Sequence, residues 1–319
     1  MINTRSPLVT IGIPTYNRAK DYLPEALASA LKQTYDRLEV VISDNCSPDH
    51  THSFITSLGD RRIRYFRQSH PLSANQNFNF CLANAHGDYF LLLHDDDLID
   101  NDFIETCMRA INDDARPGII RTGTRVIDGA RRMLRKNPNR VAGLSTTDFF
   151  LAWFADQTSF YFCSTLYNTE KLRAIGGFGS KTNRFQDVVA GAQLAARFGR
   201  ADIYEVKASF RRHGGNYGSA SNIADWCEDS LYLLDLMVDL SPERKEVIKR
   251  SGLKFFARKN YNAAAGIRSP FERLSTYMMI HNKFDREYSP VRYLYDRHVL
   301  RRIFSLQKRM SRSFAHPGK

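Results

Sequence analysis

Residues 90–104 read "FLLLHDDDLIDNDFI", an apolar run followed by His94 and three consecutive aspartates, Asp95, Asp96 and Asp97. The run Phe90–Leu93 has the pattern of a buried strand. Carboxylates repel one another and favour water, so three of them at the end of such a strand are tolerable where something cationic sits among them. The plain alternative is a solvated loop in which one aspartate caps the next helix. The neighbouring sequence decides between the two.

Upstream, apolar runs alternate with helical patterns. "LVTIGIP" (8–14), "LEVVISD" (38–44), "RIRYFRQ" (62–68) and "DYFLLLH" (88–94) read as strands. "YLPEALASALKQTY" (22–35), residues 49–58, "ANQNFNFCLANAHG" (74–87) and "NDFIETCMRAIND" (101–113) read as helices. Pro24 falls in a first turn, where it is tolerated, and Gly87 stands where a helix C-cap is expected. Such alternation predicts an α/β fold with a largely parallel sheet covered on both faces. In these sheets ligands bind beyond the carboxyl ends of the strands. Three polar clusters lie there: "TYNR" (15–18), "SDNCSPD" (43–49) and "HDDD" (94–97). Their convergence suits a polyphosphate bridged by Mg²⁺ or Mn²⁺, which favour carboxylate oxygens. Neither a Gly-x-x-x-x-Gly-Lys-Ser/Thr loop nor a Gly-x-Gly-x-x-Gly turn is present to cradle phosphates instead.

Composition bounds the classes. A chain of 319 residues with 43% hydrophobic content can bury a full core. Its apolar runs fall well short of the roughly 20 residues of a spanning helix. The N-terminal stretch "MINTRSPLVTIGIP" reads as a strand rather than a secretory leader. Five scattered cysteines without a CxxC pair suggest neither a disulfide framework nor a zinc site, and predict a reducing, cytosolic compartment. Charge is uneven: residues 241–319 hold 19 Lys+Arg against 6 Asp+Glu, a net of +13, within a whole-chain net of +12.

"VTIGIPTYNR", "VVISDNCSPDHT" and "GDYFLLLHDDDLIDNDFI" resemble, in order and spacing, successive signatures of the family 2 glycosyltransferases of GT-A fold. "LRAIGGFG", "FQDVVAGAQLAARFG" and "ASFRRHGGNYGS" resemble that family's acceptor-side region and closing strand. The resemblance covers about residues 7–220 and implies a Rossmann-like mixed sheet between helices. It further implies a catalytic domain over 1–220, with a nucleotide-sugar half (1–115) and an acceptor half (116–220), followed by a basic helical extension over 221–319.

The implied activity is inverting transfer of a sugar from a nucleotide-diphosphate donor, a UDP-sugar first, to a hydroxyl of a glycan or polyprenyl-linked acceptor. The implied setting is bacterial surface polysaccharide synthesis. By residue, Pro14 and Thr15 would line the nucleotide pocket, Asp44 would bond the base and Arg67 the nucleotide. Asp95 and Asp97 bracket a D-x-D triplet serving the sugar-ribose side and the metal, with Asp97 the first choice as ligand and Asp96 open to either role. His213 would be a metal or diphosphate ligand, set against an ordinary packed histidine. Asp187 matches the family base, although Gln186 replaces the usual preceding Glu; Asp225 and Glu228 are reserves. Arg211 or Arg212 would meet phosphate charge. Trp153, Phe160 and Tyr161 fit either an acceptor sugar or the core.

The tail reads as helices. Ser241-Pro242, Ser269-Pro270 and Ser289-Pro290 have the form of an N-cap followed by a first-turn proline. Val291, Tyr295, Val299, Ile303, Leu306 and Met310 make an apolar stripe. The tail would pack in part on the catalytic unit and in part meet the anionic inner face of the membrane. Two other functions compete. A sugar-phosphate nucleotidyltransferase would carry a Gly-rich loop after the first strand, which "PTYNRAK" lacks. A non-catalytic basic binding protein would leave the acidic triplet without a role, and nucleic acid is not an expected partner.

Overall fold

The computed structural model describes residues 6–111, 116–214 and 222–298. β1 (Val9–Thr15), β2 (Leu38–Asp44), β3 (Ile63–Arg67) and β4 (Tyr89–Leu92) pair in parallel in the order β3-β2-β1-β4. Register sets Thr15 beside Asp44 and Asp44 beside Arg67 at their carboxyl ends. β1 and β2 are buried along their whole length, which is why they read as unbroken apolar runs. α1 (Leu23–Leu31), α2 (Thr51–Ser57), α3 (Ala74–Ala83) and α4 (Phe103–Arg109) follow β1, β2, β3 and the β4 end.

Gly87 is not the end of a helix. α3 stops at a C-cap on Asn84, and a Cβ on Gly87 would lie 2.6 Å from the Thr10 backbone nitrogen. The glycine lets the chain cross β1 at close quarters.

Beyond β4 the sheet becomes mixed. β8 (Thr165–Asn168) runs antiparallel to β4 and to β6 (Ile119–Asp128). β9 (Arg200–Arg212) lies parallel to β6, and β5 (Leu98–Ile99) antiparallel to β9. β7 (Met133–Asn137) pairs antiparallel with β6. The strand order reverses at β1, with β2 on one side and β4 on the other. A crevice forms at such a switch point. α5 (Thr146–Phe154), α6 (Thr169–Ala174) and α7 (Gln186–Phe198) complete this part.

The tail helices α8 (Ile223–Asp239), α9 (Lys245–Ala264) and α10 (Pro270–Lys283) pack on the sheet side rather than apart from it. One apolar cluster runs from Phe90 and Tyr167 through Phe150 and Trp153 to Leu233, Phe256, Tyr261 and Tyr277. Phe284, Tyr288 and Tyr293 belong to it too, so buried residues extend past α10. Ser269 caps α10 through Glu272 N, and Ser289 Oγ accepts from Arg292 N. Ser241 does not cap: its hydroxyl is buried without a hydrogen-bond partner among the described residues, ahead of a short 3₁₀ turn. Val291 and Tyr295 are exposed rather than packed as a stripe, and Val299, Ile303, Leu306 and Met310 lie outside the described residues. Among the described residues, no helix is long and apolar enough to cross a membrane. All five cysteines are free thiols.

Candidate active site

A cavity of about 700 Å³ opens at the switch point, lined by Pro14, Thr15, Asn45, His94 and all three aspartates. Each aspartate has its own partner. The Thr15 hydroxyl donates to Asp95 Oδ2 at 2.7 Å. Asp96 Oδ2 lies 2.8 Å from His213 Nε2. Asp97 Oδ1 accepts the Arg211 backbone N–H at 2.8 Å. Burial, and then the charge of Asp96, push the Asp95 carboxyl up to about 7 against the pull of the Thr15 hydroxyl. The same two causes raise Asp97 well above the usual carboxylate range. Asp95 and Asp97 therefore resist ionisation unless positive charge joins them.

The positive charge already there is structural. Arg211 is fully buried over the Tyr22 ring, 4.4 Å from its centroid. Its guanidinium donates to Asp96 O at 2.7 Å, Gly129 O at 3.2 Å and Glu25 at 2.7 Å. Arg211 thus ties the β9 end beneath the triplet, while the exposed Arg212 lines the cavity.

His94, Asp96 and Asp97 offer ligand atoms within 4.8 Å of one another. His94 lies between the Phe78 and Phe162 rings, and its buried Nε2 has no hydrogen-bond partner among the described residues. Burial lowers its pKa, keeping the ring neutral and able to ligate. The donor set, one imidazole and two carboxylates with an orphaned buried nitrogen, fits a divalent cation. Of the sequence-derived set Asp97, Asp95 and His213, the grouping retains Asp97. Asp95 turns to Thr15, and His213 packs against the Tyr22 ring, tilted at 4.8 Å, while holding Asp96. His94 was legible only as an oddity of the "HDDD" stretch.

Asp44 and Arg67 meet each other but not this cavity's lining. Asp44 is fully buried, accepting Ser47 N at 2.9 Å and the Tyr65 hydroxyl at 2.6 Å, with Arg67 Nε at 3.9 Å. Arg67 donates to Ser47 O at 2.8 Å. Together they fix the loop that carries Asn45 to the cavity wall.

Asp187 is the second residue of α7 and half-buried. Burial lifts its carboxyl from 3.8 to about 6, against the Val188 N–H and the charges of Lys259 and Arg121. Gln186 beside it donates to Asn75 Oδ1 at 2.7 Å. A second cavity, about 670 Å³, adjoins the first, and Asp187, Arg184, Arg212, Tyr161 and Trp226 line both. The arrangement sets a carboxylate that burial has pushed up to about 6 between two binding spaces.

Sequence reasoning missed the group that holds Asp187 in place. Asp229 of α8, fully buried, accepts from Ser180 Oγ at 2.6 Å and from the backbone N–H groups of Thr182, Arg184 and Phe185 at 2.8, 2.6 and 2.9 Å. These four bonds clamp the loop leading into α7. Its neighbours Asp225 and Glu228 pair with Arg184 at 3.1 Å and Lys181 at 3.8 Å, so they pin the same loop. Trp153 and Phe160 are core residues that also line the second cavity. Arg121, buried, lies 4.1 Å from the Phe160 centroid.

Comparison with known proteins places these features. The pattern described as Glycosyl transferase family 2 matches residues 10–176. An uncharacterized glycosyltransferase of Rickettsia felis is 32% identical over 190 residues, 58% of this chain and 31% of its own length. A Campylobacter jejuni protein, GalNAc(5)-diNAcBac-PP-undecaprenol beta-1,3-glucosyltransferase, is 34% identical over 34% of this chain and 35% of its length. The chain thus spans about a third of the length of these relatives. The crystal structure of S. aureus TarS residues 1–349 with UDP-GlcNAc superposes with a TM-score of 0.65 at 14% identity, covering 90% of this chain and 82% of that one. The α/β mixed-sheet fold is that of the GT-A glycosyltransferases.

Proposed function

Because this chain belongs to the family 2 glycosyltransferases, we propose that it transfers a sugar, with inversion, from a UDP-sugar to a hydroxyl of a glycan or lipid-linked acceptor. One observation carries the reading: Asp187 lines both cavities, so a hydroxyl entering from the second can reach it while a donor fills the first. Support for the donor comes from the UDP-GlcNAc bound by TarS, and for the acceptor from the polyprenol-linked substrate in the Campylobacter name.

Pro14, Thr15 and Asn45 would shape the nucleotide end, with Asp44 and Arg67 behind Asn45 and Asp95 on the ribose and sugar side. His94, Asp96 and Asp97 would hold Mn²⁺ or Mg²⁺, and His213 would orient Asp96. Bound there, a divalent cation neutralises charge on the departing diphosphate. Asp187 accepts the acceptor proton as the hydroxyl attacks the anomeric carbon from the face opposite the diphosphate; its raised pKa favours holding that proton. We further assign residues 1–220 to the catalytic unit and the tail to a helical extension that completes the second cavity. Its exposed Phe271, Leu274 and Val291, in a basic segment, suit an anionic lipid surface at the inner face of the cell membrane. Free thiols fit a cytoplasmic setting, and surface polysaccharide assembly fits the acceptor class.

Thermal shift with UDP-, GDP- and dTDP-sugars, each with and without Mn²⁺, tests this. A Mn²⁺-dependent shift with UDP-sugars is expected. Absence of any nucleotide- and metal-dependent shift overturns the reading.

A further inference from the structure

The second cavity is walled by rings and cations. The Lys259 ammonium on α9 stands 5.8, 5.8 and 5.4 Å from the ring centroids of Trp153, Phe185 and Phe255. It forms no hydrogen bond or ion pair among the described residues. Arg135, Arg184, Arg212 and Arg258 line the same space against two carboxylates, Asp156 and Asp187. Asp156 already engages Arg258 at 3.1 Å. Rings alone hold a cation weakly, and Lys259 is exposed where it lines the cavity, so its ammonium is open to an entering anion. The protein packed around it lowers its pKa against the charges of Asp156 and Asp187, although the side chain keeps contact with solvent.

We propose that this cavity binds a saccharide bearing an anionic substituent, a phosphate or a carboxylate, with Lys259 as the anion contact. The sugar ring would lie against the aromatic wall and its free hydroxyl would face Asp187. The inference deepens the acceptor reading above and rests on it for the word acceptor; the anion site itself stands on the cavity. With Arg258 paired to Asp156 and Arg184 to Asp225, the lining residues Arg135, Arg212 and Lys259 face Asp187, a charge excess that favours an anionic over a neutral glycan.

The chain's only two tryptophans, Trp153 and Trp226, both line this cavity, so intrinsic fluorescence reports on it directly. The full chain, with UDP and Mn²⁺ filling the first cavity, is titrated with glucose 1-phosphate, glucuronate and glucose. At least one anionic sugar should change the fluorescence at concentrations where glucose does not, and which one does so separates phosphate from carboxylate. Lys259→Met should weaken that binding roughly ten- to a hundredfold, the worth of one hydrogen bond to a charged group, and Lys259→Arg should restore it. Equal binding of glucose, no binding of either anionic sugar, or unchanged affinity in a folded Lys259→Met variant overturns the proposal. UDP binding is measured separately by calorimetry. Should UDP fail to bind, the donor reading falls, and the same titration without nucleotide still decides the anion site.

Discussion

Replacing Asp187 by Asn should make the protein more stable and far less active, and pH separates the two effects. Asparagine mimics the protonated carboxyl in shape and still offers an oxygen to the Val188 N–H. In the fold the carboxyl is lifted from 3.8 to about 6. A raised acid pKa means that the folded state holds the proton more tightly than the unfolded one. Ionisation therefore weakens the fold as pH rises from about 4 to 6, and the full penalty stands above that range. Two units at about 1.4 kcal/mol each give an upper bound of about 3 kcal/mol. Asp187 is only half-buried and shares its space with Lys259 and Arg121, so about 1–2 kcal/mol is the realistic gain for Asn at pH 7.5, a few degrees in Tm. Below pH 4 the gain should vanish. Calorimetric melting at pH 7.5 and 4.0 checks this. A wild type as stable as the variant at pH 7.5, or a gap independent of pH, refutes the electrostatic argument. Turnover should fall roughly 10²-fold or more with donor affinity kept, and wild-type turnover would remove Asp187 from the role of base. Wild-type turnover itself should climb roughly tenfold per pH unit below 6 and level above it, as the base loses its proton.

Asp97→Ala should abolish Mn²⁺-dependent UDP binding by calorimetry while the circular dichroism stays native; unchanged affinity would dismiss Asp97 as a ligand. Asp229→Ala removes the acceptor of three backbone N–H groups, of which the buried one of Phe185 alone costs about 1–3 kcal/mol when stranded, so it should lower Tm and loosen residues 180–185 in hydrogen exchange. A near-neutral effect would show that the clamp is dispensable. For the lipid surface, truncation at Lys283 is a poor test, because it removes the buried Phe284, Tyr288 and Tyr293. Phe271→Ser with Leu274→Ser alters only exposed side chains and should reduce sedimentation with anionic vesicles. Binding should also fall with salt, since exposed charges are screened over about 8 Å at physiological ionic strength. Equal sedimentation of variant and wild type would show that these side chains are not the anchor.

The parallel half of the sheet was legible because its strands are buried on both faces and read as unbroken aliphatic runs. The mixed half was legible only by resemblance. β6 pairs with β9 across some seventy intervening residues, as Ile119↔Arg200 and Asp128↔Arg212, and no local pattern announces so distant a partner. Gly87 misled in the usual way, since a glycine after a helical run suggests a C-cap whether the chain needs a turn or clearance. At the site, the aspartates could be found because three acids after a buried strand conflict with local preference. Their division of labour could not. Which carboxylate meets Thr15 depends on the end of β1, and which meets His213 or the Arg211 N–H depends on the end of β9, more than a hundred residues away.

The tail shows why charge in a sequence is an ambiguous signal. An excess of +13 over residues 241–319 looks like a single surface property, yet the fold divides it. Arg258, half-buried, and Lys259, exposed at the rim, line the second cavity, on a helix whose other face is buried in the core through Phe255, Phe256 and Tyr261. Lys249, Arg250 and Arg268 face outward, with Phe271 and Leu274 nearby in sequence. A cation on the open surface acts on nothing in particular, whereas one near three aromatic rings at a cavity that Asp187 also lines biases whatever enters that cavity. The extension is also linked to chemistry on the sheet: α8 clamps the loop before Asp187, and α9 supplies the ammonium that helps set its pKa. Removing the extension should therefore disable transfer even with every donor-side aspartate in place.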